Sequence, residues 1–255
     1  MAIRLRGIAA IAIATCAAFT LTACGGTTAP DPNKTYLIAS DNAFAPFEFM
    51  DASGEYVGVD MDILAAIAAD QGFNCTVDNV GFDAAMGMVQ AGQADGMIAG
   101  MTITDKRKEV YDFSNGYFDD GQILVVAADS SVAKLDDLQG KAVAVKTSTQ
   151  GATYAESIKD KYGFTLQFYE DSPTMYTAVV NGSNAACFED RSVVGWAIKE
   201  NGLALKTVGD VINPGSYGFA VKKGANSELI KMFNDGLKNI KSNGTYDTIL
   251  AKYGY

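Results

Sequence analysis

Residues 95–107 read DGMIAGMTITDKR. An apolar, strand-like stretch there runs into Gly100, Thr102, Thr104 and Arg107. Permissive backbone, a hydroxyl and a guanidinium close together suit the recognition of a carboxylate. Arg107 is the informative member, because it stays charged and offers a planar fork that Lys does not reproduce. Its other use is a surface ion pair with Asp105 or Glu109. Three further polar clusters stand beside apolar runs: Asp41 after YLIAS, the turn at 146–150 (KTSTQ) after KAVAV, and Glu189-Asp190 after AACF. Catalytic chemistry has little to work with. The chain has no His and no nucleophile–base spacing, so no catalytic residue, metal or cofactor is expected. The spacing of Cys75 and Cys187 is not that of a metal site either.

These residues need a frame. Strand-like runs at 36–40 and 75–80 alternate with helical runs at 60–71 and 82–91, and the next strand is the 95–107 segment itself. That is a βαβαβ order, which builds a parallel sheet with helices on its faces. Asp60 or Asp62 is expected to cap the first helix and Gly72 to end it. After residue 122 the plan repeats, with strands at 122–127, 141–145, 165–169, 185–188, 203–208 and 217–221 and helices between them. The tail at 227–240 carries Leu229, Ile230, Phe233, Leu237 and Ile240 at helical spacing. In open parallel sheets, ligands sit beyond the carboxyl ends of the strands. Asp41, Gly100, the 146–150 turn and Asp190 fall at such ends in two halves of the chain. Two α/β lobes facing across a cleft bring them together. Asp41 and Lys146 can also serve as plain turn residues, and Asp190 as the cap of the helix from Ser192.

The start reads as a processing segment. Arg4 and Arg6 precede an apolar run, and Leu21-Thr22-Ala23-Cys24 places small residues before a Cys. This resembles a lipoprotein leader, with cleavage before Cys24 and lipid on it, so residues 1–23 are a signal peptide and 24–34 a flexible tether. Losing Arg4 and Arg6 leaves 18 basic against 30 acidic residues, a balance of −12. That acidity disfavours nucleic acid. Cys75 and Cys187 are read as small apolar residues, with a disulfide between them left open.

The segments Gly58-Val59-Asp60-Met61-Asp62-Ile63-Leu64, Pro46-Phe47-Glu48, Ala99-Gly100-Met101-Thr102, Arg107, Asp112-Phe113-Ser114, 140–151 and Asn243-Gly244-Thr245-Tyr246 together resemble the polar amino-acid-binding proteins of ABC importers, glutamine-binding-like branch. The resemblance implies an α/β, two-lobe periplasmic-binding-protein-like fold of type II. Each lobe is then a mixed, mostly parallel sheet flanked by helices, and a two-strand hinge joins them. Lobe one is 35–116 plus 221–255, lobe two is 122–215, and the crossings are 117–121 and 216–220. It further implies that Arg107 clamps an α-carboxylate over which the turn Thr149-Gln150 closes, that Thr102 and the backbone at Gly100 and Thr102 serve both ends of the amino acid's backbone moiety, and that Ala99 belongs to the ligand-binding set. Asp190 receives the α-ammonium, Phe44 and Phe82 line the side-chain slot, and Asp41, Lys146 and Glu189 read its end. The branch commonly has His where this chain has Glu189. The expected ligand is glutamine or another neutral polar amino acid, ahead of a basic one and then glutamate or aspartate, with cystine-like ligands open. Implied partners are a free amino acid, the permease with its ATPase subunits, and the membrane through the lipid on Cys24. The expected place is the outer face of the cell membrane, or the periplasmic side where there are two membranes, and a monomer is expected. An exported dehydratase-like enzyme and a ligand-sensing module are the other uses of this plan.

Overall fold

The computed structural model describes residues 34–255. The leader, Cys24 and the rest of the tether before Lys34 lie outside the described residues. In chain order the elements are β1 (Thr35–Ser40), β2 (Ala43–Phe44), β3 (Glu48–Met50), β4 (Tyr56–Val57), α1 (Val59–Gln71), β5 (Asn74–Asn79), α2 (Phe82–Ala91), β6 (Gly96–Met97), α3 (Asp105–Lys108) and β7 (Tyr111–Phe113). There follow β8 (Phe118–Ala127), a 3-10 turn at Leu135–Leu138, β9 (Ala142–Lys146), α4 (Gln150–Tyr162), β10 (Thr165–Tyr169), α5 (Ser172–Val180), β11 (Ala186–Asp190), α6 (Arg191–Asn201) and β12 (Leu205–Tyr217). The chain then returns through β13 (Ala220–Lys222) to α7 (Ser227–Ser242) and α8 (Thr245–Lys252).

Two mixed sheets result, in orders β5-β1-β6-β13-β7 and β10-β9-β11-β8-β12, with a small β2-β3-β4 sheet beside the first. β1 runs parallel to β5 and β6, and β9 runs parallel to β10 and β11. In each sheet the fourth strand is the antiparallel one: β13 against β6 and β7, and β8 against β11 and β12. Each sheet is flanked by helices, so the molecule is a pair of lobes of the type II periplasmic-binding-protein plan. Short strand ends carry the chain between them. Thr102 bridges Tyr217 at that crossing, and Ile103 N–H donates to Ser216 O at 2.8 Å.

The apolar stripe of α7 docks on α1. Leu229, Phe233, Leu237 and Ile240 are buried beside Ile63, Leu64 and Ile67, each such side chain contributing roughly 1.5–3 kcal/mol. Ile230 of the same stripe is only half-buried.

Local expectations fail at four places. Neither Asp60 nor Asp62 caps α1. The cap position is Gly58, and the first helical N–H groups are taken by chain carbonyls, Val59 by Pro46 O and Asp60 by Phe47 O, both at 2.9 Å. Gly58 sits at φ 143°, and a Cβ there would lie 2.0 Å from Phe47 O, so that close approach requires glycine. Asp190 occupies the position before α6 without a side-chain cap bond. Residues 203–208 and 217–221 do fall on two strands, β12 and β13, but the boundary between them is displaced, with Tyr217 ending β12 and β13 starting at Ala220. β12 runs on through Pro214 to Tyr217, with register shifts against β8, which an edge strand tolerates because it needs no outer ladder donor. Cys75 and Cys187 are both free, on β5 and β11 of different sheets. Cys187 is buried as expected, and Cys75 is half-buried.

Candidate functional site

Arg107 reaches its place through a four-residue helix. Thr104 caps α3 by accepting the Arg107 N–H on Oγ1 at 3.2 Å. The guanidinium then donates from Nη1 to Thr102 O at 2.8 Å and from Nη2 to Ser148 O at 3.0 Å. It also lies 5.4 Å from the Phe82 ring centre. Burial lowers Arg107 to about 10, with Asp190 pulling the other way, so the cation persists at neutral pH. Two of its five donors are engaged by these carbonyls, and a guanidinium fork has further donors to offer a carboxylate.

Gly100 stands before it at φ 52°, and a Cβ would meet the Phe44 ring at 2.5 Å. Its N–H donates to Asp60 Oδ2 at 2.8 Å. That N–H is therefore already engaged within the lobe. What Gly100 has left for a ligand is a carbonyl acceptor.

Across the cleft, β9 delivers Lys146 and β11 delivers Glu189 and Asp190. Lys146 is no solvated turn residue. It is 2 % exposed and ion-pairs with Asp41, which is fully buried at the end of β1. Its ammonium stands 4.8 Å from the Phe44 ring centre and 5.8 Å from that of Phe82. Burial alone would lower Lys146, but Asp41, Glu189 and Glu48 hold it above its ordinary value. Glu189 lies above the usual carboxylate range through burial, which Lys146 partly offsets. Its two oxygens accept from Asp190 N at 3.0 Å and Tyr176 O–H at 3.1 Å.

Asp190 accepts from Gln122 Nε2 at 2.7 Å and from Tyr217 O–H at 2.6 Å. Burial, then the carboxylates of Glu189 and Asp120, push it up to about 7 against those two bonds. A cation brought beside it would lower it again. Thr149 caps α4, accepting from Ala152 N at 3.2 Å while its hydroxyl donates to Lys146 O at 2.7 Å. That bond joins the helix start to the strand end carrying Lys146.

Asp41, Phe44, Phe82, Ala99, Gly100, Thr102, Arg107, Lys146, Thr149, Gln150, Glu189 and Asp190 all line one cavity, joined by Gly151 and Phe188. Every expected site residue is thus in one place. The enclosed free space is about 20 Å³, room for about one water. The cleft must therefore widen before a solute of amino-acid size enters. Besides the Asp41–Lys146 and Arg107–Ser148 contacts, Ser148 Oγ bonds Asp83, and Phe49 packs on Trp196 at 5.3 Å. A larger groove of about 780 Å³ opens between Phe49, Met50 and Asp51 on one side and Pro173, Tyr176 and Trp196 on the other. It is apolar, with Asp51 its sole charged lining group, and cannot pair both ends of a zwitterion.

Sequence reasoning missed Ser148, Gln122, Tyr176 and Tyr217. Gln122 faces Asp190 only through the antiparallel β8–β11 register. Ser148 carried a signal of its own, a polar turn residue before a helix, and it adopts φ 62°.

The model of the bacterial extracellular solute-binding proteins, family 3, matches residues 36–255. A probable histidine-binding protein of Neisseria gonorrhoeae is 33% identical over 93% of this chain and 92% of its own length. Among solved structures, an ancestral arginine-binding protein bound to arginine is 34% identical, with TM-score 0.81 over 87% of this chain and 98% of the other. The second substrate-binding domain of Lactococcus lactis GlnP, in an open conformation, is 43% identical over 88% and 97% of the two chains, yet its TM-score is 0.61. The sequence that is more alike superposes less well.

Proposed function

This chain belongs to the bacterial extracellular solute-binding proteins, family 3, and from that membership we propose that it captures a free neutral polar L-amino acid, glutamine foremost, for an ABC importer. The family consists of solute-binding transport proteins, so the chain is an exported amino-acid-binding component and not an enzyme. Its partners are a free amino acid and the cognate permease with its ATPase subunits. In this reading residues 1–23 are removed and lipid on Cys24 anchors the protein, with residues up to 34 as tether.

An α-amino acid presents one anion and one cation at fixed spacing. Arg107 and Thr102 take the carboxylate, helped by the α4 start at Thr149 and Gln150. Asp190 and the Gly100 carbonyl take the ammonium, and Phe44 and Phe82 sandwich the side chain. The observation that carries the choice of ligand is the buried Asp41–Lys146 pair. A carboxamide accepts from the ammonium and donates to the carboxylate, adding no net charge to a dry region. A glutamate side chain brings a third carboxylate, beside Asp41 and Glu189, to one ammonium. One observation favours a second reading: Glu189 gives this end two acids against one base, which suits a basic side chain, and similar proteins are named for histidine and arginine.

Capture proceeds by closure. Lobe one (35–116 plus 221–255) carries Arg107, and lobe two (122–215) carries Asp190, with crossings at 117–121 and 216–220. The low overlap with an open relative and the high overlap with a ligand-bound one support a closed arrangement here. Ligand shifts the population toward it. The test is a thermal-shift screen of the chain lacking residues 1–23 against all common amino acids and small organic acids. A solute that binds only the folded form raises the melting point. Glutamine among the largest shifts is expected. A shift from organic acids alone, with every amino acid silent, contradicts the proposal.

A further inference from the structure

Behind the wall of the site on the lobe-one side, two carboxyl groups face each other away from solvent. Glu48 opens β3, Asp60 lies in the first turn of α1, and both are fully buried. Asp60 Oδ2 receives two donors, Gly100 N–H and Tyr117 O–H, each at 2.8 Å. Asp60 Oδ1 and both oxygens of Glu48 have no donor, although the two carboxyl groups lie within hydrogen-bonding reach of each other. Two bare carboxylates there would repel and leave three buried acceptors unsatisfied. A single proton between them makes a donor of one Glu48 oxygen and fills Asp60 Oδ1. No other side chain donates to this pair among the described residues.

We propose that Glu48 carries a proton and donates it to Asp60, and that this acid–carboxylate pair is a positioning device that fixes Gly100 at the ligand site. Through Tyr117 the same pair is tied to the start of the crossing into β8. Tyr246 O–H in turn bonds the Tyr117 carbonyl, so the strut reaches from Gly100 to α8. Asp60 is thereby explained as well, since it caps no helix and pairs with no cation.

The electrostatic surroundings agree with this geometry. Burial, then Asp60 and Asp41, hold Glu48 well above its ordinary range, with Lys146 opposing. Burial raises Asp60 to about 6, restrained by the bonds to Gly100, Tyr117 and Glu48. Tyr117 is kept neutral by burial and by both acids. Asp60, Asp41 and Lys146 are the charged or titratable groups that act on Glu48, and Tyr117 faces it through Asp60. Because Glu48 holds its proton in the fold and releases it more readily when unfolded, its contribution to stability is complete below the ordinary carboxyl range. It is lost as pH rises toward the folded value.

The proposal rests on the cavity at Gly100 being the ligand site, and its test separates the two. Infrared difference spectra of the folded chain lacking residues 1–23, wild type against Glu48→Gln at neutral pH, should show a protonated-carboxyl C=O band that the variant loses. Retention of the full wild-type band, or its absence from wild type, overturns the proposal. In melting curves between about pH 5 and about pH 9, Glu48→Gln should gain on wild type as pH rises, because an amide keeps the bond to Asp60 and has no proton to lose. A gap that shrinks with rising pH overturns it. With L-glutamine as probe, Glu48→Ala should weaken binding roughly tenfold, and Glu48→Gln should restore it. Equal loss in both variants shows that the donated hydrogen bond is not what positions Gly100. If wild type ignores L-glutamine, the ligand reading fails while the infrared and pH results still decide the protonation of Glu48.

Discussion

At one end of the cleft the cation is held by backbone, and at the other by charge. Arg107 is fixed by two carbonyls, Thr102 O from its own lobe and Ser148 O from across the cleft, and its helix cap comes from Thr104. Among the described residues no such carbonyl holds the Lys146 ammonium in place. It is held by Asp41, with Glu189 and Glu48 acting on it. Backbone partners cannot be substituted away, so the Arg107 end suits the part that every amino acid shares. Side-chain partners can be exchanged one at a time, so the Lys146 end is where selectivity can change without loss of the common grip.

The sharpest way to break this contrast is at the fixed end. Arg107→Ala leaves any bound carboxylate without its cation, a loss of roughly 3–5 kcal/mol of binding, and calorimetry should show it for every amino acid alike. A variant that loses one ligand and keeps the rest would place Arg107 at the selective end instead. Next in size is Gly100→Ala, which drives a Cβ into the Phe44 ring and strains a left-handed backbone. Its cost is about 1–3 kcal/mol, expressed as a lower melting point together with weaker binding.

Asp190 joins the two ends, and pH tests it. Its carboxyl sits at about 7 in the free cleft, and an ammonium beside it favours the anion, so binding releases a proton. Affinity should hold above that value and fall about tenfold per pH unit below it. A flat profile through that range means that Asp190 does not receive the ammonium. Smallest in overall affinity is Glu189→His, which removes an acid from beside Lys146. It should reorder the ligands, demoting basic amino acids most, while leaving the common grip in place. A uniform loss would mean that Glu189 supports the fold through Tyr176 and the Asp190 N–H.

The same division decides what could be read before the structure. Asp190 ends a strand and Thr102 follows an apolar run, both marked by apolar patterning, and Arg107 follows on the short α3 just beyond, while the parallel strands deliver their ends to one edge. The partners that set their behaviour come from pairing across strands. Gln122 lies opposite Asp190 by register, and Tyr217 reaches it from the end of β12. No local spacing announces either one. Asp60 looked like a helix cap because acids near a helix start often are. Here the carbonyls of Pro46 and Phe47 had already taken the N–H groups, which left Asp60 to face Gly100. The length of β12 was hidden likewise, because its continuation past Val208 is mostly exposed and carries no apolar run.

The most direct test of the central claim is calorimetric titration of the chain lacking residues 1–23 with L-glutamine, L-arginine and L-glutamate at one pH. Glutamine should bind most tightly, at least about tenfold ahead of the charged pair, because only it satisfies Asp41 and Lys146 together without adding charge. Tight arginine binding with glutamine silent would contradict this account and assign the side-chain end to Asp41 and Glu189.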